Sequence, residues 1–265
     1  MEFRTKIDIQ KAEFTIEPQS NLLFLGSCFA DQISKKFSCN AFNVTVNPIG
    51  TLYNPASIYT YLENNDVDKH YDIAFITLGT THIYRLKSNG KIVTNCQKRP
   101  ANLFQEERLS LEECTIYLRK IRDILRKNNE LINIIYTVSP IRYAKYGFHE
   151  SQISKATLLM AVEKITEEKE CTYFPAYEIM LDELRDYRFW AQDMLHPTQQ
   201  AVDYIWECIA NTYFSKQTLQ FLEEWKPIRE ALTHKPFNPE SPEYKQFLAD
   251  AMRRKQQFEN KWLSR

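Results

Sequence analysis

Residues 24–32 read FLGSCFADQ, and the change of pattern inside this stretch decides the fold. The apolar run Leu22-Leu23-Phe24-Leu25 stops at Gly26, Ser27 and Cys28 follow, and an amphipathic helical pattern begins. A buried strand that turns sharply into a helix is the building unit of a parallel sheet covered on both faces. The glycine at the junction is informative because the chain holds only five in 265 residues, against a usual ~7%. A residue used so sparingly is expected where the backbone needs positive φ or where another group comes close. Gly26, Gly50 and Gly79 each follow an apolar or β-branched run. Gly90 sits in the Asn-Gly turn of KSNGKIV and Gly147 in an irregular stretch.

Outward from this junction, strands and helices alternate. Residues 20–25 (SNLLFL) read as a strand, 28–37 as a helix and 42–46 (FNVTV) as a strand. Asn54-Pro55 opens a helix to about Leu62, with Asn as cap and Pro at the first helical position. Residues 72–78 (DIAFITL) form the next strand, followed by a hairpin over 82–94. Ser110 begins the capping box SLEE, and 111–127 carries helical periodicity. Residues 131–138 (LINIIYTV) are a strand, 152–168 a helix and 171–177 a shorter strand; Pro197 opens a helix to about Tyr213. This order predicts an α/β fold with a parallel sheet, in which ligands bind beyond the carboxyl ends of the strands. Gly26, Gly50, Gly79 and Ser139-Pro140 all fall at such ends and are expected along one edge.

Near residue 216 the character changes. Residues 216–232 and 242–263 are helical and charge-rich, separated by THKPFNPESPEY. The expected organisation is a domain over 1–215 with a helical extension over 216–265. Trp225, Phe247, Phe258 and Trp262 are available to pack that extension onto the body or a partner.

Composition narrows the function classes. Lys+Arg and Asp+Glu balance at 34 each, which argues against a nucleic-acid or anionic-membrane surface. No segment reaches the ~18 apolar residues of a membrane span. The opening MEFRTKIDIQ lacks the basic, apolar, small-residue order of a signal peptide, so a cytoplasmic protein is expected. The six cysteines (28, 39, 96, 114, 171 and 208) show no CxxC and read as free thiols. No glycine-rich phosphate loop is present, and the His and carboxylate spacing makes no metal site. No cofactor and no metal are expected.

Two features carry chemistry. A serine after a strand-ending glycine, at a helix start, is presented at the sheet edge among helix N-terminal donors that favour negative charge. Ser27 therefore suits a nucleophile whose attack creates an oxyanion, although Ser is also a common helix cap. In AQDMLHPTQQA (191–201), Asp193 stands three residues before His196. That spacing lets a carboxylate bind the imidazole Nδ1–H and leave Nε2 free as a base. Together they read as nucleophile Ser27, base His196 and orienting Asp193, in the chain order Ser, Asp, His. Cys28 is the rival nucleophile, since a thiol at a helix N-terminus can be activated; it is expected instead to pack against the sheet.

GSCFA (26–30) resembles the name-giving motif of the GSCFA family, a branch of the SGNH (GDSL-like) hydrolase superfamily. NPIGTLYNPASI (47–58), TLGTTHIY (77–84), TVSPIR (137–142), SKATLL (154–159) and DMLHP (193–197) resemble further blocks of that family. The resemblance covers roughly residues 20–215 and leaves the helical tail outside it. It implies a three-layer α/β/α flavodoxin-like domain and ester hydrolysis by Ser27 with Asp193–His196, on an acylated, for example acetylated, carbohydrate. It also implies an oxyanion hole of a serine N–H, a glycine N–H and an asparagine amide. Ser27 and Gly50 fit the first two, but Thr80 and Thr81 stand where the asparagine is expected, leaving Thr80 or Asn47 as third donor.

His82, Arg142 and His149 fall past strand ends and are candidates for the substrate pocket; His82 reads as readily as a hairpin surface residue, and Arg142 and His149 read more readily as solvated or structural side chains. The expected partner is a small-molecule or glycan ester, not nucleic acid or a membrane. Besides an esterase, the same residues suit an acyltransferase, and the fold without catalysis suits a carbohydrate-binding module.

Overall fold

The computed structural model describes residues 4–65, 70–96, 99–168 and 171–263. Its strands are β1 (Asn21–Gly26), β2 (Asn43–Val46), β3 (Ile73–Leu78), β4 (His82–Leu86), β5 (Phe104–Arg108), β6 (Asn133–Val138) and β7 (Cys171–Tyr173). Its helices are α1 (Cys28–Cys39), α2 (Pro55–Asn64), α3 (Leu111–Asn128), α4 (Gly147–Thr166), the single turn α5 (Ala176–Glu178), α6 (Gln199–Tyr213), α7 (Lys216–Thr233) and α8 (Pro242–Trp262). Five strands form one parallel sheet in the order β2-β1-β3-β6-β7.

Side chains of a strand point alternately to opposite faces, and the apolar runs supply both. Leu22, Phe24 and Phe75 point into one core with Phe29, Ile33 and Phe37 of α1 and Val202 and Ile205 of α6. Leu23, Leu25, Ala74 and Ile76 point into the other, with Ile58 of α2, Leu118 and Ile121 of α3, and Leu158 and Val162 of α4. The result is three layers, helices on both faces of the sheet. Phe24 stacks on Phe75 with ring centres 4.6 Å apart, and Phe37 meets Trp206 edge-on at 4.7 Å. Phe24, Phe37 and Phe75, all buried, each contribute ~1.5–3 kcal/mol.

The chain leaves β1 toward the edge strand β2 and then crosses back to β3 on the other side of β1. In a sheet of this order the crevice opens at the carboxyl ends of the strands flanking that reversal, here β1 and β3. Ser27 follows β1 and Gly79 follows β3.

The C-terminal helices join the α1 side. Phe221, Trp225, Phe258 and Trp262 belong to the same core as Phe37 and Phe42. Trp225 Nε1 donates to the Cys39 carbonyl at 2.8 Å, and Thr218 Oγ1 to the Ile16 carbonyl at 2.7 Å. Phe247 remains 39% exposed. Among the described residues no helix is long and apolar enough to cross a membrane.

Three local expectations need correction. The turn at Gly90 forms, with φ +67°, but it carries a single bridge, Arg85 with Ile92. Strand β4 instead pairs in full with β5, whose sequence FQEER has no apolar alternation. Antiparallel backbone pairing holds that ladder, and an ion pair crosses it, Arg85 Nε lying 2.7 Å from Glu107 Oε2. Pro197 does not open the helix that ends at Tyr213. It is buried and bridges to Trp190, and Thr198 caps α6 by accepting from the Ala201 N–H. Helix α4 begins at Gly147 rather than 152, because its first turn, GFHES, is too exposed to show helical periodicity.

Candidate active site

Gly26 is dictated by close approach. Its φ is +139°, and a Cβ there would lie 2.0 Å from the Thr77 carbonyl oxygen. Only glycine lets β1 run this close to β3 before turning. Ser27 then caps α1 with extended backbone (φ −68°, ψ 174°), its Oγ accepting from the Phe29 N–H at 3.3 Å. Ser27 Oγ also meets Thr77 Oγ1 at 3.1 Å.

A cavity of about 300 Å³ opens above this turn. Ser27, Cys28, Tyr53 and Gly79 line one side, residues Ser139 to Lys145 without Pro140 a second, and Leu195 and His196 a third. Ser27 and His196 therefore share one cavity though 169 positions separate them (196 − 27). No hydrogen bond joins them: the serine hydroxyl rests on Thr77 and Phe29.

The His196 loop is built as its spacing predicts. Asp193 Oδ2 lies 2.6 Å from His196 Nδ1, while Oδ1 accepts from the N–H groups of Leu195 (2.9 Å) and His196 (3.0 Å). Those hydrogen bonds, the His196 N–H first, hold the Asp193 carboxyl down at about 2. The carboxylate is ionised at neutral pH and can only accept, so Nδ1 carries the proton and Nε2 is left basic. Met194 adopts φ +59° at the tip of the loop.

Arg142 fastens this loop. Its N–H donates to the Leu195 carbonyl at 2.9 Å and its guanidinium to the Met194 carbonyl at 3.3 Å. The guanidinium lies 4.9 Å from the Phe148 ring centre and 4.7 Å from that of Trp190. Arg142 thus lines the cavity and positions His196. The other two pocket candidates do not line it. His82 stacks on Tyr146 at 3.9 Å, with burial lowering its pKa, and His149 is exposed on α4.

The expected oxyanion donors are engaged elsewhere. The Ser27 N–H donates to both the Thr77 carbonyl and Thr77 Oγ1, each at 3.0 Å, because the β1–β3 ladder runs one residue past Gly26. The Gly50 N–H closes a turn onto the Asn47 carbonyl at 2.8 Å. Thr80 is buried, its Oγ1 3.2 Å from Ser154 Oγ. Asn47 accepts from the Gly26 N–H and donates to Asp31 Oδ1, both at 2.9 Å. Neither Gly50, Thr80 nor Asn47 lines the cavity.

Cys28 departs from expectation too. It faces the cavity rather than the sheet, its Sγ 3.6 Å from the Tyr53 hydroxyl. As first residue of α1 it projects past the strand end, while the next two, Phe29 and Ala30, turn into the core.

Two lysines near the site escaped the sequence reading. Lys145 lines the cavity but is held by Glu106, Tyr84 and Tyr146. Burial alone would raise the Glu106 carboxyl; hydrogen bonds from Lys145, Tyr146 and Tyr84 outweigh it and bring it down to about 2. Lys155 is fully buried, and its Nζ donates to the Ser139 carbonyl at 2.7 Å. Burial lowers its pKa to about 7. The signal was available: Lys155 stands three and seven residues before the buried Leu158 and Val162, on the inward face of α4. Among the described residues no group of three His, Cys, Asp or Glu side chains could hold a metal ion.

Among solved structures, the chain is similar to a protein from Parabacteroides merdae described as a GDSL-like lipase, at 12% identity over 76% of this chain and 100% of that one, with a TM-score of 0.51. It is also similar to an acetylxylan esterase of Geobacillus stearothermophilus, at 13% identity over 76% and 98%, with a TM-score of 0.49. No curated protein matches the sequence. A parallel sheet in this strand order, covered on both faces by helices, is the α/β/α fold that the chain shares with the first of these. The chain belongs to the GSCFA family, whose model matches residues 21–73 and 63–209. The C-terminal helices, which the sequence resemblance left out, match the C-terminal domain of GSCFA domain proteins over residues 225–264.

Proposed function

We propose that this protein is a serine esterase that removes an O-acyl group, acetyl among them, from a carbohydrate. One observation carries the proposal: Ser27 and the Asp193-bound His196 open on the same cavity at the carboxyl ends of β1 and β3. Rotation about its Cα–Cβ bond turns the Ser27 hydroxyl from Thr77 toward His196. His196 Nε2 takes the proton as Oγ bonds the ester carbonyl carbon and the carbonyl electron pair moves to oxygen. Collapse expels the alcohol, which takes the proton from His196, and leaves acyl-Ser27. Water attacks next, giving a proton to His196, and collapse releases the acid and returns that proton to Ser27. Asp193 stays ionised throughout and stabilises the imidazolium. The Tyr53 and Tyr143 rings, 6.3 Å apart along the cavity, suit the apolar face of a sugar ring.

A second reading, a carbohydrate-binding module on the same fold, draws support from the Ser27 hydroxyl resting on Thr77 and from the engaged Ser27 and Gly50 amides. Hydrolysis of p-nitrophenyl acetate by wild type, Ser27→Ala, His196→Ala and Cys28→Ala separates the two. The esterase reading expects loss of ~10³ or more in the first two variants and survival of the third. Wild-type turnover equal to buffer, with all three variants the same, overturns it in favour of the binding module.

A further inference from the structure

An acyl transfer at Ser27 develops negative charge on the carbonyl oxygen, which needs hydrogen-bond donors already in place. The amides of Ser27, Gly50 and Asn47 and the Thr80 hydroxyl are engaged away from the cavity. A different donor does face it.

Tyr53 lines the same cavity as Ser27 and is tied to the end of β3 through its backbone. Its carbonyl accepts the N–H groups of both Gly79 and Thr80, each at 2.9 Å. A Cβ at Gly79 would lie 3.4 Å from Ser27 Cβ and 3.6 Å from Tyr53 Cδ1. The bare Gly79 backbone is therefore the floor on which the Tyr53 ring and the Ser27 side chain sit side by side. From there the ring carries its hydroxyl to Cys28 Sγ, 3.6 Å away, at the residue that follows Ser27. Sulfur is a weak acceptor, and an oxyanion offered at this place is a stronger one.

We propose, resting on the esterase reading, that the Tyr53 hydroxyl is the oxyanion donor of this site, standing in for the missing asparagine amide. The phenol keeps its proton across the working range: burial first, and then the contact with Cys28, push its pKa up. A phenol reaches farther than a threonine hydroxyl, and so can serve where TLGTTH offers no amide.

The test is Tyr53→Phe, which removes one oxygen and leaves the ring on Gly79. With p-nitrophenyl acetate, kcat is expected to fall 10²–10³-fold while KM changes less than about two-fold, as for loss of a transition-state donor. Inhibition by phenylboronic acid, whose tetrahedral serine adduct carries the same charge, is expected to weaken in parallel. A Tm within about 2 °C of wild type shows that the fold is intact; Tyr53→Trp, which keeps an aromatic body, is the second variant if the first does not fold. If Tyr53→Phe retains kcat within two-fold while Ser27→Ala is dead, Tyr53 is not the donor and the esterase reading stands. If Ser27→Ala matches wild type, or wild type matches buffer, the esterase reading fails and this proposal with it.

Discussion

Replacing Lys155 by Met is expected to stabilise the protein at pH 6 and to impair it as a catalyst. Lys155 is 2% exposed, and its one polar partner among the described residues is the Ser139 carbonyl at 2.7 Å, with the Tyr177 ring centre 5.9 Å away. Its pKa falls from 10.5 to about 7 through burial; at ~1.36 kcal/mol per pH unit, that is about 5 kcal/mol of penalty on the charged form. The folded pKa lies below the unfolded one, so the unfolded chain holds more protons between about pH 7 and 10.4. Stability from this group therefore rises with pH through that window, and the full penalty applies below pH 7. Methionine fills a similar volume without charge but leaves the Ser139 carbonyl unpaired, at ~1–3 kcal/mol. The net gain at pH 6 is about 2–4 kcal/mol, on the order of 10 °C in Tm for a chain of this size. By pH 10 most of the charge penalty is gone and the variant is expected to be the less stable of the two. Thermal unfolding followed by circular dichroism at pH 6 and pH 10 measures both. A variant less stable than wild type at both pH values refutes the reasoning. The fold tolerates the lysine because it anchors the end of β6, from which residues 139–145 supply half of the cavity wall. Turnover by the variant is accordingly expected to drop even as Tm rises.

Four further outcomes are expected. Arg142→Ala removes the guanidinium that holds the Met194 carbonyl between two rings, and kcat is expected to fall 10–100-fold with the fold retained; unchanged kcat in steady-state assays counts against its positioning role. Asp193→Asn presents an amide to His196 Nδ1 and favours the wrong tautomer, with an expected loss of ~10⁴ in kcat. Because the Asp193 carboxyl is held at about 2, stability it contributes is present above ~pH 4 and lost only as pH falls toward 2; a pH–rate profile of the wild type should show no break from this group above pH 4. Gly26→Ala puts a methyl 2.0 Å from the Thr77 carbonyl oxygen at φ +139°, and is expected to cost ~3 kcal/mol or more in chemical denaturation.

The sheet was legible because parallel strands buried on both faces write continuous apolar runs, as LLFL, IAFITL and NIIYTV do. The Asp193–His196 contact was legible because it is local, three residues within one turn. Strand β5 was not, since FQEER is held by backbone pairing with β4 and carries no apolar period. The start of α6 was misread because Pro197 fits both a helix opening and a bridge, and Thr198 decides between them through its side chain. The oxyanion donors were the hardest to read. Whether the N–H groups of Ser27 and Gly50 are free depends on what Thr77 and Asn47 accept, and the sequence is silent on long-range backbone bonding. Tyr53 and Lys155 matter through what lies above and beside them in space, Gly79 for the one and Ser139 for the other.

The central claim is that Ser27, activated by His196, becomes covalently acylated. Its most direct test is to incubate wild type, His196→Ala and Cys28→Ala with a fluorophosphonate ester and locate the adduct by peptide mass spectrometry. The account predicts one phosphonyl group on Ser27 in wild type and in Cys28→Ala, and a rate at least ~10³ lower in His196→Ala. An adduct on Cys28, or equal labelling with and without His196, would contradict it.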